Sequence, residues 1–291
     1  MRRITGLRKR SFTHLPMHCW QWNRIGLLLM GLLYSLTPAY ASEPLTGKEI
    51  MHRSIITHYQ YPFIMETQSM VLVDRDGHRD ARKLTRYFRR EADGTLKTLL
   101  RFTDPETIRN TALLAIHYPD GHSSMQIFLP ALGRRLIDYH SSDRNGKFLG
   151  SDFAIEDLLP DQMKDYHYQR KKDRHQDDMH WFVIDALPKS QAVSDATGYT
   201  RRRIFVRQTN LMIDRVDFFS DGQLIKRMTR HDIQRVNRTM WAANMVRMES
   251  FRDHHSSVIN TNSRIFGKDY VPASLFAPDE ITDHTSRLPQ Q

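Results

Sequence analysis

The chain has 291 residues, with 43 Lys and Arg against 33 Asp and Glu, a formal net charge of +10 and a single cysteine. At this length a full hydrophobic core is available, and one cysteine excludes a disulfide framework. The basic balance does not mark a nucleic-acid binder, because much of it lies in the first 41 residues.

Arg2, Arg3, Arg8, Lys9, Arg10 and Arg24 precede or adjoin the apolar run Ile25 to Leu36, and no acid occurs before Glu43. Ala39-Tyr40-Ala41 then forms a small-x-small cleavage site ahead of Ser42. Together these features predict a secretory signal peptide over residues 1–41. The apolar run falls short of the about 20 residues that a membrane-spanning helix needs. Residues 42–291 keep 37 basic and 33 acidic side chains, net +4, and Cys19 departs with the leader. The remaining chain is expected to be exported and soluble, with a folded domain over 42–270 and a fraying tail over 271–291.

The first element of that domain is a helix. Thr46-Gly47-Lys48-Glu49 has capping-box spacing, and Ile50, Met51, Ile55 and Tyr59 give it an apolar face ending before Pro62. Strands follow. Ser69 to Arg75 and Arg79 to Arg90 flank the hairpin signal Asp76-Gly77. Thr95 to Phe102, Ala112 to Tyr118, Met125 to Leu129 and Gly133 to Tyr139 continue the pattern. After the loop composition Ser141 to Gly146, Gly150-Ser151-Asp152 opens a short helix over Phe153 to Leu159, with Asp152 as its N-cap. Tyr166 to Lys171, His180 to Ala186, Tyr199 to Gln208, Ile213 to Phe219, Leu224 to Arg230, Met240 to Ser250 and His255 to Phe266 complete the series.

Hairpin connections and the scarcity of long helices predict a mainly β, antiparallel fold. About eleven strands exceed a comfortable flat sheet, so a strongly curved, unclosed barrel is expected. Charged alternation in Arg203 to Arg207 and Lys226 to Arg230 predicts that one face meets water.

Competing chemistry finds little support. His254-His255, His175 with His180, and His117 with His122 lack the spacing of a zinc motif, and no cysteine remains to assist. Asp152, Glu156 and Asp157 suggest a glycan-cleaving pair, but as cap and first-turn acids they already have a structural account. Ser141 and Ser142 have no nucleophile-elbow context, and no phosphate-binding glycine pattern occurs.

Four segments resemble one family. Arg101-Phe102-Thr103-Asp104-Pro105 with Ile108-Arg109-Asn110-Thr111-Ala112-Leu113-Leu114 is similar to its F-x-x-P-x-x-I-R-x-T-x-L-L passage. Ile127 to Arg135 resembles its Y-L-P-A-L-R-R strand and turn. The most distinctive segment combines Ser142, Asp143, Arg144, Phe148, Gly150, Ser151, Asp152, Phe153, Glu156, Asp157 and Leu158. Ile213 to Phe219, with Asp221-Gly222 and Lys226, resembles the late hairpin, although Leu211-Met212-Ile213 stands where the family often carries proline. The family is the outer-membrane lipoprotein-sorting proteins, in the superfamily of the periplasmic carriers LolA and LolB.

That resemblance implies an unclosed β-barrel with a helical lid, in the periplasm, whose concave apolar face holds lipid or lipoprotein acyl chains. It implies no enzyme activity and no cofactor. Its partners would be acyl chains, an outer-membrane acceptor and the membrane in passing, with a monomeric chain. The alternative is an accessory protein of a resistance-nodulation-division (RND) type inner-membrane transporter. Strand alternation offers Leu72, Leu84, Leu100, Phe102, Leu114, Ile116, Ile127, Leu129, Val216 and Phe218 as the lining, with Arg101, Arg134 and Arg144 as headgroup or lid-latch candidates.

Overall fold

Glycine and aspartate turns fold this chain back on itself repeatedly, and the outcome is one antiparallel sheet. The computed structural model describes residues 44–133, 136–138, 146–160 and 163–283. Its strands are β1 (Phe63–Val73), β2 (Arg79–Arg90), β3 (Leu96–Asp104), β4 (Ala112–His117), β5 (Ser123–Phe128), β6 (Leu136–Asp138), β7 (Tyr166–Arg170), β8 (Arg174–Gln176), β9 (Met179–Pro188), β10 (Arg201–Arg207), β11 (Ile213–Ser220), β12 (Gln223–Arg235), β13 (Trp241–Ser250) and β14 (His255–Phe266). Three helices accompany them: α1 (Gly47–His58), α2 (Gln191–Thr197) and α3 (Pro278–Thr282).

The sheet runs β6-β5-β4-β3-β2-β1-β14-β13-β12-β11-β10-β9-β7, with β8 paired to β9. Its fourteen strands exceed the expected number of about eleven, partly because β6 and β8 are three-residue pieces. Among the described residues β6 and β7 end the path without pairing to each other, so the barrel is unclosed. Register shifts at Thr67/Gln68, Lys83/Leu84, Phe205/Val206 and Phe218/Phe219 bend the strands, as an extra residue on one side of a ladder does. In the β1–β2 turn, Asp74 accepts the backbone N–H groups of Asp76 and His78, and Gly77 takes φ 85°.

Alternation along the strands sends side chains to two faces. One carries Met70, Leu84, Leu100, Phe102, Leu113, Ile204, Val216, Phe218, Met228 and Ile259, in one cluster with Ile50 and Met51 of α1. The opposite face of β1 to β5 carries Met65, Tyr87, Leu99, Leu114 and Phe128, which pack with Val271, Phe276 and Ile281. The segment expected to fray from Val271 is therefore docked through Asp283. Its apolar side chains are spaced among proline and charge, yet they cover a buried sheet face.

α1 follows its sequence signals. The Thr46 hydroxyl accepts the Glu49 N–H while the Glu49 carboxylate accepts the Thr46 N–H at 2.8 Å, closing the capping box. Gly47 is required by packing: a Cβ there would lie 2.9 Å from the Arg170 nitrogen and the Tyr168 carbonyl of β7. Among the described residues no helix is long and apolar enough to cross a membrane.

Candidate functional site

The concave face does not fill completely. A cavity of about 270 Å³ lies between α1, the sheet and residues 153–159. That volume approaches the lower end of small-molecule sites, about 300 Å³. It is nearly twice the roughly 150 Å³ of an apolar cavity that takes up benzene. The apolar walls include Leu100, Phe153, Ile204, Val216, Phe218 and Ile259, with Met212, Met228 and Met240 adding flexible thioether side chains.

Beside these walls stands a buried ion cluster. Glu66, on β1, faces Arg86 of β2 at 3.1 Å and Arg264 of β14 at 2.6 Å, and Gln68 donates to it at 3.0 Å. Arg264 also donates to the Asn244 side chain and the Ala243 carbonyl, both at 3.1 Å. Burial alone would raise the Glu66 carboxyl, but the attraction and hydrogen bonds of the two guanidinium groups hold it below the ordinary carboxylate range. Arg202 and Arg230 line the same cavity, and Arg202 stacks 4.0 Å over the Tyr166 ring. Arg203, Arg207 and Arg227 meet water as the charged alternation predicts, whereas Lys226 and Arg230 of the same runs belong with Arg202 to the inner face.

His58 closes one end of α1. Its Nε2 donates to the Asn210 carbonyl at 3.0 Å and its Nδ1 accepts the Trp241 N–H at 3.2 Å, a pattern that assigns the Nε2–H tautomer. Burial pushes its pKa below the ordinary imidazole value, so the ring is neutral at pH 7.

Opposite α1, residues 147–159 form a strap. Phe148 donates its N–H to the Phe153 carbonyl, and its ring lies 5.8 Å from Phe102. Gly150 sits at φ 77°, where a side chain would strain the turn. Ser151 is buried and donates to the Phe148 carbonyl. Asp152 is not a helix cap: the helical turn is Ile155–Leu158, and the Asp152 carboxylate instead accepts the Ser257 hydroxyl at 2.7 Å. The capping acid is Asp157, which accepts the Ala154 N–H at 2.8 Å. Asp157 also accepts the Tyr199 hydroxyl at 2.9 Å and pairs with Lys226 at 2.8 Å. Burial, reinforced by the neighbouring Asp157 charge, drives the Tyr199 pKa well above its usual value, so it stays a phenol donor. Asp152 and Asp157 are thus occupied in fastening the strap to Tyr199, β12 and β14.

Of the predicted lining, Leu100, Val216 and Phe218 border the cavity. Leu72, Leu84, Phe102 and Ile127 belong to the same apolar cluster without bordering it. Leu114 and Ile116 face the other way, against the docked C-terminal segment. β4 is buried on both sides, so its sequence offers no alternation to set its phase; Leu113 is the inward residue. Leu129 lies past the end of β5 as the residue before the turn Pro130–Leu132. Arg101 does not border this cavity: it donates to the Glu280 carbonyl at 3.1 Å on the opposite face. Arg134, Arg144, Ser142 and Asp143 lie outside the described residues. From the signature, Phe153, Glu156, Asp157 and Leu158 reach the cavity, and Phe148, Gly150, Ser151 and Asp152 shape the strap behind them. Ser54, His58 and the Glu66 cluster are absent from the sequence reading, which has Ile55 and Tyr59 only as the apolar face of α1. The shared parity of Glu66, Gln68 and Met70 in β1 is the signal that points to the cluster.

The histidine groupings form no three-ligand cluster among the described residues, and His175 simply stacks near His180 at 6.1 Å. Asp74, Asp76 and His78 do converge, but Asp74 is the acceptor that shapes their turn.

A model of a family described only as uncharacterized proteins matches residues 94–283. No curated protein matches in sequence. A structure described as an outer membrane lipoprotein-sorting protein domain, from Vibrio parahaemolyticus, is similar at TM-score 0.74 and 22% identity, over 81% of this chain and 98% of its own. A DUF1329 family protein from Desulfovibrio piger gives 0.70 and 20%, over 79% and 98%. A LolA superfamily protein from Nitrosomonas europaea gives 0.64 and 18%, over 81% and 99%. At these identities the likeness establishes the fold.

Proposed function

The chain belongs to the DUF1329 family of uncharacterized proteins, on the lipoprotein-sorting fold of the LolA superfamily, and on that premise we propose that it is a non-enzymatic carrier of acyl chains. The observation that carries this reading is the cavity of about 270 Å³ left between α1, the strap and the concave sheet. Each methylene exposed to water costs about 0.8 kcal/mol, so a sixteen-carbon chain costs on the order of 12 kcal/mol in an aqueous compartment. A curved sheet with a methionine-rich apolar lining supplies the cover. The cargo is a lipid or the acylated end of a lipoprotein, taken toward the outer membrane. The predicted leader over residues 1–41 would deliver the carrier to the periplasm.

Buried charge does not argue against this role. Arg86 and Arg264 share the Glu66 carboxylate, which leaves the trio at net +1, and their ion pairs brace the cavity wall without offering a reactive group. Native mass spectrometry of the protein purified from the periplasm tests the proposal. Bound lipid, released by unfolding, is the expected result. Protein that is consistently lipid-free and ignores fluorescent fatty acids refutes it.

A further inference from the structure

The outer face of β7 to β12 is organised differently from the inner one. Cross-strand register places Asp185, Arg203, Asp217, Arg227 and Glu249 side by side on neighbouring strands, a row of alternating charge. Within it the two aspartates lie underneath, while the Glu249 side chain, at the β13 end, is exposed. The Asp185 and Asp217 side chains are 4% exposed, whereas Arg203 is 34% and Arg227 29% exposed. Aromatic rings hold further guanidinium groups in place, Arg201 at 3.9 Å over Phe219 and Arg215 at 4.4 Å over Phe205. Solvent therefore meets cations whose counter-charges are covered.

At the β8 end this face sinks into an open depression of about 500 Å³. Lys171, Lys172, Arg174, Arg201 and Arg203 surround Asp185, above Val183 and Phe205. Arg203 engages both Asp185 oxygens, at 2.7 and 3.0 Å, while Lys171 and Arg201 stand off at 3.8 and 3.7 Å. Lys172 and Arg174 are exposed and have no carboxylate within ion-pair distance among the described residues. Five cations around one acid make a local excess of +4, as large as the net charge of all residues 42–291. Self-repulsion on this scale is relieved by an external anion.

We propose that this depression is a docking site for the phosphate groups of an anionic phospholipid membrane. Val183 and Phe205 are each buried at 6% exposure, so the face lacks the protruding apolar anchors that centre a protein–protein interface. Its cations are instead spread over the β7–β8 connection, β8 and β10 on one open surface, which suits a plane of many phosphates. The assignment deepens the carrier reading, because a carrier of acyl chains must load and unload at a bilayer. Its test, though, reads adhesion rather than cargo.

Co-sedimentation of the protein with phosphatidylglycerol vesicles, against phosphatidylcholine vesicles, tests the site. The double variant Lys172→Gln/Arg174→Gln removes two unpaired cations, and the control Arg79→Gln/Arg238→Gln removes two exposed cations elsewhere. Each cation lost from the site should weaken partitioning about five-fold, so the double variant falls roughly 25-fold while the control stays within about two-fold. High salt should abolish binding to the anionic vesicles. Equal binding to both vesicle types, equal loss in both double variants, or binding of inorganic phosphate or an acidic peptide without vesicle binding overturns the proposal. Lipid-loaded protein that ignores vesicles overturns the docking site alone. Vesicle-binding protein that never carries lipid leaves the site standing and removes the carrier reading.

Discussion

The two faces of β1 to β5 bury apolar side chains in different ways. On the outer side the segment from Val271 to Ile281 seats three apolar side chains on Tyr87, Leu99, Leu114 and Phe128, all at most 2% exposed. Arg89 and Arg101 fix that segment through neutral acceptors, the Val271 carbonyl at 2.9 Å and the Glu280 carbonyl at 3.1 Å. On the inner side α1 and the strap stand apart, and the gap between them stays open over the Glu66 cluster. One sheet thus supports a filled face and a hollow one. The difference lies in the covers: the C-terminal segment lays side chains onto the sheet, whereas the helix and strap bridge it from their ends.

Glu66→Ala should break this contrast most severely. Removing the shared acid leaves the half-buried Arg86 and Arg264 facing each other across the cavity wall without a counter-charge, at a cost of about 3 kcal/mol. Urea unfolding measures it, and a loss below about 1 kcal/mol would mean that the cluster is hydrated and does not brace the cavity.

Leu99 and Leu100 sharpen the comparison, being adjacent, buried and on opposite faces. Leu99→Ala opens a void in the filled face and should cost about 3–5 kcal/mol with fatty-acid uptake unchanged. Leu100→Ala borders space that already exists, so its cost should lie nearer about 2 kcal/mol, with altered uptake. Equal stability losses and equal uptake in the two variants would erase the distinction. Gly47→Ala should cost about 1–3 kcal/mol, because its Cβ would press on the β7 backbone and lift α1. Unchanged thermal stability would show that α1 is not held at that contact.

Acid should loosen the hollow face first. The folded pKa values of His58 and Glu66 both lie below their unfolded values of 6.5 and 4.5. Each group therefore contributes its full stability above its unfolded value and loses it as pH falls toward its folded value. Thermal stability should decline below about pH 6.5 through His58 and again below about pH 4.5 through Glu66. His58→Gln should remove the first step only. A stability curve with no change between pH 7 and 5 in the parent protein would contradict the assignment.

Features whose partners are close in sequence were legible. The capping box of Thr46 and Glu49 spans three residues, and the turn at Asp76-Gly77 is written in its own residues. Long-range partners were not: Asp152 resembled a cap because nothing local reveals Ser257, 105 positions away. Leu114 and Ile116 were assigned to the wrong face because a strand buried on both sides carries no phase in its hydrophobicity. Within the family signature, Asp152 fastens the strap to Ser257, and Asp157 both caps the turn and pairs with Lys226.

The central claim is that the hollow face takes up an acyl chain. Titration of a fluorescent fatty acid against the parent protein and Val216→Phe, whose added ring would occupy the cavity, tests it most directly. Saturable uptake by the parent, lost in a variant that still unfolds cooperatively, is the predicted result. Equal uptake by both proteins, or none by either, would contradict it.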